Sequence, residues 1–381
     1  MRNCCVRILV GVIALGASAC SSAAPAPPPP PTGVPTSAPA APPKPTVAPT
    51  TAATAPPAAA ATAPPTAAPT AVTKPAAAAP LQKVSAGYSN VSADDLASWV
   101  AKEAGIFSQN GLDVDLQLVA GGSKTMASLL SGQNDLTLQG GGEVLSASTS
   151  GADLVVLATL APVYPYLFEV SADVKTVDDL RGKKVGVSSA GGSADIASRV
   201  ILKKQGLDPD SDVNMVPVDS HANRTAALIS GAIQGGVDDP PDSYAVEREG
   251  LHTPFDLAGQ KLPAANTVLV GQRAWVSANR ETTQKFVDSL VQGIARMRAD
   301  KTFTVGVLKK YFQSDDEEVM SGAYDYFTRE VIPSVPSPRG EQFADAISIL
   351  GDKNEKVKSL DVSRIVDPSF VQSSVDRGLN K

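Results

Sequence analysis

From Lys83 onward, short apolar runs alternate with segments whose apolar residues recur at the helical period. The series starts with a strand-like run at 83–87 and an amphipathic helix that ends near Gly105. A second apolar strand at 112–119 and a second helix follow, and a third short strand carries Asp135. The order strand, helix, strand, helix, strand predicts a parallel sheet covered by helices.

The same series recurs from Lys184, with a glycine at Gly206 after its first helix and a third strand that carries Asp238. The second helices end alike, in Ala-Ser-Leu-Leu-Ser-Gly at 127–132 and Ala-Ala-Leu-Ile-Ser-Gly at 226–231. An internal repeat of this length indicates two similar α/β lobes. The alternative is that two ordinary α/β units share common residues by chance.

The remaining apolar runs predict how the two lobes are joined. They are strand-like at 153–160, 162–170 and 266–270, and helical at 281–300, 302–311 and 315–327. If the last part returns to the first lobe, the chain crosses between lobes near 170–175 and 262–268. We therefore expect lobe 1 at 81–172 plus 266–381 and lobe 2 at 173–265, with a two-strand hinge and a cleft between them.

The N-terminus predicts export and lipid attachment. Arg2 and Arg7 flank the start of an apolar run at 6–15, which is too short to span a bilayer and typical of a signal peptide. The small residues before Cys20 resemble a bacterial lipobox, although Ala17 stands where Leu or Val is commoner. We expect a signal peptide at 1–19 and a lipid on Cys20; an ordinary cleaved signal with an incidental cysteine is the alternative.

Residues 20–80 differ in composition from the rest of the chain. They are almost wholly Ala, Pro and Thr, and Lys44 and Lys74 are their only charged side chains. Such a segment buries too little apolar surface to offset its ordering entropy, and its prolines favour extended polyproline II. The composition predicts a disordered tether between a membrane anchor and the folded lobes.

Charge and residue usage exclude several functions. The chain has 33 basic and 39 acidic residues, and loss of Arg2 and Arg7 with the signal takes the formal charge from −6 to about −8. This argues against nucleic acid, which requires a basic face. No cysteine remains after Cys20, and His221 and His252 lie far apart, so we expect no disulfide, metal site or cofactor. No catalytic motif is found.

Candidate ligand contacts follow from the repeat. Ligands of open α/β sheets gather at the carboxyl ends of strands, where helix N-termini present unpaired N–H groups. One loop per lobe holds this position, and Ser92 and Ser193 are predicted to cap the helices that follow. Plain capped turns are the alternative. The candidates are Ser89, Asn90, Ser188, Gly191, Gly192 and Ser193.

A second group of candidates surrounds the later helix starts and the hinge. Glycines after the third strand of lobe 1 allow close backbone approach, and acidic residues near them select against a purely anionic ligand. Two tyrosines of equal strand parity are predicted to face the cleft and stack on a ligand, with core packing as the alternative. These candidates are Ser123, Gly141, Gly142, Glu143, Tyr164, Tyr166, His221, Asn223, Asp239 and Tyr244.

Three phrases together resemble the NMT1/THI5-like solute-binding proteins, the sulfonate, nitrate and taurine type. They are Ala-Lys-Glu-Ala-Gly-Ile-Phe with Gly-Leu-Asp-Val in 101–114, Leu-Leu-Ser-Gly-Gln-Asn-Asp at 129–135, and Asp-Leu-Arg-Gly-Lys-Lys-Val-Gly-Val at 179–187. The resemblance runs through nearly all of 82–300. It implies a type II periplasmic-binding-protein-like fold of two α/β lobes joined by a two-strand hinge.

The resemblance also implies delivery of a small solute to an ABC permease and its ATPase, by a monomer held at the membrane through its lipid. Among the solutes of this family, the tyrosines and acidic loops favour a thiamine-precursor pyrimidine or a flavin-like ligand. A sulfonate, taurine or nitrate-like anion is the alternative, and a sensory receptor is less favoured. A fungal enzyme branch uses a cysteine-rich motif, which the folded part lacks.

Overall fold

The computed structural model describes residues 80–218 and 220–381. The predicted signal peptide, the lipid site Cys20 and the predicted tether up to residue 79 lie outside the described residues. The strands are β1 (Gln82–Tyr88), β2 (Leu112–Leu118), β3 (Leu136–Gln139), β4 (Leu154–Val163), β5 (Leu167–Val170), β6 (Lys184–Val187), β7 (Asn214–Pro217), β8 (Gly235–Asp238), β9 (His252–Asp256) and β10 (Pro263–Gln272).

Helices connect and cover these strands. The α-helices are α1 (Leu96–Glu103), α2 (Ile106–Gln109), α3 (Gly122–Leu130), α4 (Gly141–Thr149), α5 (Ser193–Lys204), α6 (His221–Ile229), α7 (Asp242–Arg248), α8 (Arg273–Ala278), α9 (Arg280–Ala299), α10 (Lys301–Phe312), α11 (Glu317–Tyr326), α12 (Ala344–Gly351), α13 (Glu355–Lys358) and α14 (Ser369–Asp376). Short 3-10 turns occupy Ala93–Asp95, Val177–Leu180, Gly340–Phe343 and Val362–Arg364, and α11 continues into a π turn at Phe327–Val331. Within the described ranges, no helix is long and apolar enough to cross a membrane.

The strands form two five-stranded sheets with matching order, β2-β1-β3-β10-β4 and β7-β6-β8-β5-β9. In the first sheet β1 runs parallel to β2 and β3, while β10 runs antiparallel to β3 and β4. In the second, β6 runs parallel to β7 and β8, and β5 runs antiparallel to β8 and β9. The two α/β lobes are confirmed, but the sheets are mixed rather than parallel because each contains one reversed strand that follows a crossing, β10 in the first sheet and β5 in the second.

The first crossing between sheets differs from the expected one. β4 belongs to the first sheet and β5 to the second, where Leu167 pairs with Asp238, so the chain crosses at 164–166 rather than 170–175. The apolar run breaks there because Pro165 has no N–H to donate to a ladder. The chain returns between β9 and β10, so the second sheet is built from 167–256 rather than 173–265.

Packing ties the C-terminal part to the hinge. In lobe 1, Trp99 is fully buried and stacks on Tyr311 with ring centroids 4.4 Å apart. Helix α9 packs on α1, and α14 packs on α9, so these C-terminal helices lie against the first sheet's helices. Helix α12 contacts both α4 of lobe 1 and α5 of lobe 2, so it closes one side of the junction.

Candidate functional site

A cavity of about 40 Å³ lies between the two lobes, at the carboxyl ends of β1, β3 and β6. Its wall comes from both lobes and from the crossing segments, as the hinge prediction requires. The lining residues are Ser89, Asn90, Ser92, Asp94, Asp95, Gly121, Gly122, Gly140 and Glu143 of lobe 1, Tyr166, Asn266 and Thr267 of the crossings, and Ser188, Ser189, Ser193, Ala194 and His221 of lobe 2.

Many of the candidates from the sequence meet at this cavity. Seven line it directly: Ser89, Asn90, Glu143, Tyr166, Ser188, Ser193 and His221. Two glycines lie at its edge, where the lobes touch. A Cβ on Gly142 would clash with the carbonyl oxygen of Gly191 across the interface, and one on Gly192 would lie 3.0 Å from Glu143 Oε1. The glycines are therefore needed for the lobes to approach each other.

Other candidates lie outside the cavity. Ser123 and Asn223 are exposed, and Asn223 contributes its backbone N–H to the Ser220 cap of α6. Gly141 is packed against Ala265, and Tyr244 lies against Gly322. None of these four residues lines the cavity.

The parity argument for the two tyrosines is wrong, because Tyr164 and Tyr166 lie between β4 and β5 rather than within one strand. Only Tyr166 lines the cavity. The Tyr164 hydroxyl instead donates to Asp345 Oδ2 at 3.3 Å, and its ring is buried in the core. Asp239 is also behind the wall, 1 % exposed, where it accepts a 3.1 Å hydrogen bond from Ser92 Oγ of the other lobe.

Six polar residues line the cavity that the sequence did not give as candidates: Ser92, Asp94, Asp95, Ser189, Asn266 and Thr267. Asp94 and Asp95 follow Ser92, which caps Ala93–Asp95 as predicted. Asn266 and Thr267 come from β10, and both side chains donate to Asp94 Oδ2, Asn266 at 3.0 Å. A polar Asn-Thr pair inside the apolar run of β10 was the signal that could have found them.

Two carboxyl groups of lobe 1 at the cavity, those of Asp95 and Glu143, each have an oxygen atom without a hydrogen-bond donor in the part of the chain that the structure describes. Asp95 is 2 % exposed, and its Oδ1 has no hydrogen-bond donor among the described residues. Burial, then the charges of Asp94 and Asp239, raise the pKa of Asp95 well above its usual range. Glu143 Oε2 likewise has no donor within the described chain, and burial, with a smaller contribution from Asp195, raises the pKa of Glu143 to about 7.

The carboxylates of lobe 2 have cationic neighbours. His221 Nδ1 lies 2.9 Å from Asp238 Oδ1 and 3.6 Å from Asp239 Oδ2, and Arg224 Nη2 lies 2.8 Å from Asp238 Oδ1. Burial lowers the pKa of His221, but the charges of Asp239 and Asp238 outweigh burial and raise it to about 9. A protonated imidazole therefore forms part of the wall at neutral pH.

A wider groove of about 350 Å³ adjoins the cavity and shares Ser89, Asn90 and His221 with it. Its other walls include Tyr311 and Phe312 at the end of α10. The shared residues join this groove to the cavity.

Two α/β lobes that are joined by two chain crossings and line a polar cavity between them are characteristic of the periplasmic-binding-protein fold. The family described as NMT1/THI5 like matches residues 94–302, and the chain belongs to this family. This confirms the resemblance found in the sequence and makes the chain a solute-binding protein of the ABC-import type.

Similar proteins agree with this assignment. A Bacillus subtilis (strain 168) protein named only as a binding protein, YtlA, is 23% identical over 282 residues, which cover 72% of this chain and 84% of the relative. The aliphatic sulphonate binding protein SsuA of Escherichia coli superposes with a TM-score of 0.62 at 19% identity, covering 76% of this chain and 99% of SsuA. The nitrate-binding protein NrtA of Synechocystis PCC 6803 gives 0.63 at 14% identity, covering 78% and 89%. At these identities the structural likeness shows the fold.

Proposed function

We propose that this chain is the extracytoplasmic receptor of an ABC importer, which captures one small organic solute between its lobes and hands it to a permease and its ATPase. The observation that carries this proposal is the enclosed polar cavity, with Glu143 from lobe 1 and His221 from lobe 2 in one wall. A solute can enter such a site only if the lobes separate at the hinge. Occupancy is therefore coupled to a change of shape that a permease can recognise.

A planar nitrogen-containing solute is the first candidate ligand, as a thiamine-precursor pyrimidine or a flavin. The rings of Tyr166 and His221 are 6.3 Å apart and offer an aromatic wall, while the nearby carboxylates accept hydrogen bonds from ring amino groups. A cavity of about 40 Å³ favours the smaller pyrimidine over the flavin.

A sulfonate, taurine or nitrate-like anion is the second candidate. The starts of α3, α4 and α5 reach the cavity through Gly122, Gly140 and Ser193, and helix N-termini attract anions. SsuA and NrtA, which share this fold, are named as sulphonate- and nitrate-binding proteins. Against this candidate, no Lys or Arg stands among the residues that line the cavity.

A thermal-shift screen of the purified chain lacking 1–19 tests the receptor function. The panel contains thiamine pyrimidines, riboflavin, nitrate, taurine and sulfonates. Binding to the native state alone adds about 2.7 kcal/mol of stability at a hundredfold excess over Kd, which raises the melting temperature by several degrees. The matched control is Gly192→Val, which places bulk beside Glu143 and should abolish the shift.

Each outcome of the screen changes the assignment differently. A single solute that shifts the wild type and not the control supports the receptor and names its ligand class. A panel without any shift would favour the sensory alternative with another ligand. We propose binding without turnover, so mass spectrometry of the incubated solute should find it unchanged, and a product would instead support an enzyme related to the pyrimidine synthases.

We also propose that the receptor acts as a monomer held at the cell membrane by a lipid on Cys20. Cys20→Ala should move the protein from the membrane to the soluble fraction, as measured by immunoblotting. Cys5→Ala is the matched control, because Cys5 lies within the predicted signal peptide. Membrane retention of Cys20→Ala would contradict lipid anchoring and leave the receptor function intact.

A further inference from the structure

We propose that the interlobe cavity selects a compact organic cation, of the ammonium, amidinium or protonated aminopyrimidine type, and rejects nitrate and sulfonates. This inference rests on the proposed receptor function and specifies its substrate class. Its basis is an excess of buried carboxylates over cationic side chains around one enclosed space.

The cationic side chains near the cavity each have a carboxylate beside them. His221 is the one cationic residue among those that line it, and its Nδ1 lies 2.9 Å from Asp238 Oδ1 and 3.6 Å from Asp239 Oδ2, which balance its charge. Arg224 lies behind the wall and contacts the same carboxylate at 2.8 Å. Arg199 binds Asp195 at 2.8 Å and is equally unavailable. No described cation is left to balance the carboxylates of lobe 1.

Three acceptor atoms of the cavity wall lack a donor among the described residues: Asp95 Oδ1, Glu143 Oε2 and Asn266 Oδ1. A buried acceptor without a donor destabilises the folded protein, and more so when it is charged. A cationic nitrogen would supply the missing donors and would stabilise the ionised form of Asp95 and Glu143. Nitrate or a sulfonate brings only acceptors, so it would leave these atoms unsatisfied and add repulsion.

The helix starts do not reverse this preference. A helix N-terminus carries roughly half a positive charge, and its effect extends over the first turn. Glu143 lies in the first turn of α4, and Asp94 and Asp95 form the turn that leads into α1, so carboxylates already occupy the favourable positions. An anionic solute would have to compete with three fixed carboxyl groups.

Cation binding should release a proton. The groups facing Glu143 are Asp94, Asp95 and His221 around the cavity and Asp195, paired with Arg199, from α5. Burial, then Asp195, raise the pKa of Glu143 to about 7, so this carboxyl is partly protonated at neutral pH. A bound cation stabilises the carboxylate and lowers that pKa. Below pH 7, affinity for a permanent cation should therefore increase about tenfold for each unit by which the pH is raised. Affinity for an anion should decrease over the same range.

The sharpest test compares guanidinium with nitrate, since both are planar, threefold ions of similar shape and opposite charge. A second series is ethanolamine, taurine and isethionate, which changes a cation through a zwitterion to an anion. Titration calorimetry and thermal shift use the purified chain lacking 1–19 at pH 6 and pH 8. We expect binding of guanidinium and ethanolamine, at least fivefold tighter at pH 8, and no binding of nitrate or isethionate.

Two isosteric variants locate the effect. Asp95→Asn should weaken guanidinium binding at least tenfold, and Glu143→Gln should reduce its pH dependence to the part that Asp95, whose pKa burial also raises, contributes. The matched control is Asp113→Asn, an exposed carboxylate of β2 in the same lobe, which should bind as the wild type does. If Asp95→Asn does not fold, the pH profile of Glu143→Gln still decides the question.

Results that would contradict the cation preference differ from those that would contradict the receptor function. Binding of nitrate or isethionate, lost in Gly192→Val, would overturn the cation preference and leave the receptor function standing. Wild-type pH dependence in Glu143→Gln together with unweakened binding in Asp95→Asn would also overturn it. A chain that binds no member of either series, and no other solute of the receptor screen, would count against both proposals.

Discussion

The two lobes share strand order and helix placement, yet they present different chemistry to the cavity. Helices α3 and α6 both have nine residues, but the first begins with Gly122 and the second with His221. The fourth residue is Thr125 in α3 and Arg224 in α6. The repeated backbone therefore fixes where a side chain stands, while the individual residue decides its charge.

The strand ends show the same contrast. β3 ends in Gln139, whereas β8 ends in Asp238, which Arg224 and His221 neutralise. Lobe 2 thus contains a buried network in which carboxylates and cations occur together. Among the carboxyl groups that line the cavity, Asp95 and Glu143 of lobe 1 have no described cation beside them.

The largest effect is expected from removing the cation that balances lobe 2. Arg224→Met would leave Asp238 buried with only His221 beside it, and breaking a buried ion pair costs about 3–5 kcal/mol. Urea denaturation measures this free energy of unfolding. Thr125→Val, at the equivalent position of lobe 1, should cost far less. Equal stability of the wild type and Arg224→Met would contradict the charge balance of lobe 2.

The next effect is on closure of the lobes. In Gly142→Ala the new methyl group would clash with the Gly191 carbonyl oxygen only when the lobes are together. Affinity for any bound solute should fall at least a hundredfold, about 2.7 kcal/mol, with an unchanged melting temperature of the free protein. Gly306→Ala, with no atom near the new Cβ, is the control. Wild-type affinity in Gly142→Ala would show that binding does not need this contact.

A smaller effect is expected on the pH dependence of stability, to which Glu143 of lobe 1 contributes. Because the folded-state pKa of Glu143, about 7, exceeds its unfolded value, the folded protein loses stability as pH rises from about 4.5 to 7. Glu143→Gln removes this loss, so the variant should be more stable than the wild type at pH 8 by about 2–3 kcal/mol and equal to it near pH 4. Denaturation curves at both pH values provide the measurement. A constant difference between the two proteins would contradict the raised pKa.

The smallest effect distinguishes two neighbouring tyrosines. Tyr164→Phe loses the hydrogen bond to Asp345 and should cost about 1 kcal/mol of stability without changing solute affinity. Tyr166→Phe alters the cavity wall and should change affinity instead. If Tyr164→Phe weakened solute binding as much as Tyr166→Phe does, Tyr164 would also be part of the ligand site.

Much of the fold could be predicted because the repeat and the apolar periodicity act locally. The lobe boundary was misplaced because the run 162–170 is apolar apart from Glu169, and only the pairing of β5 with β8 shows that Leu167–Val170 belongs to lobe 2. The cavity residues Ser89, Asn90 and Ser193 could be predicted because they lie in loops at the carboxyl ends of strands. Asp95 was missed because its inward direction depends on the 3-10 turn at Ala93–Asp95, which the sequence does not specify.

The assignment of Asp135 as counterpart of Asp238 illustrates the same limit. Strand pairing places Asp135 before β3, where its Oδ2 accepts from the Ser85 N–H at 2.8 Å. In lobe 2 the equivalent acceptor is Gln234, which receives the Lys184 N–H at 3.2 Å. Asp135 therefore stabilises a strand, and Asp238 belongs to the charged network. A difference of a few residues in register separates the two roles.

The order of the strands along the chain also predicts an order in which the two sheets form. All five strands of the second sheet lie within the continuous stretch 167–256, so they can pair as soon as that stretch has emerged. The first sheet must wait, because β10 lies between β3 and β4 and is the last of the ten strands along the chain. Until β10 arrives, β4 has no strand partner and its edge is open to aggregation. We therefore expect the second sheet to form first and the first sheet to be completed when β10 arrives.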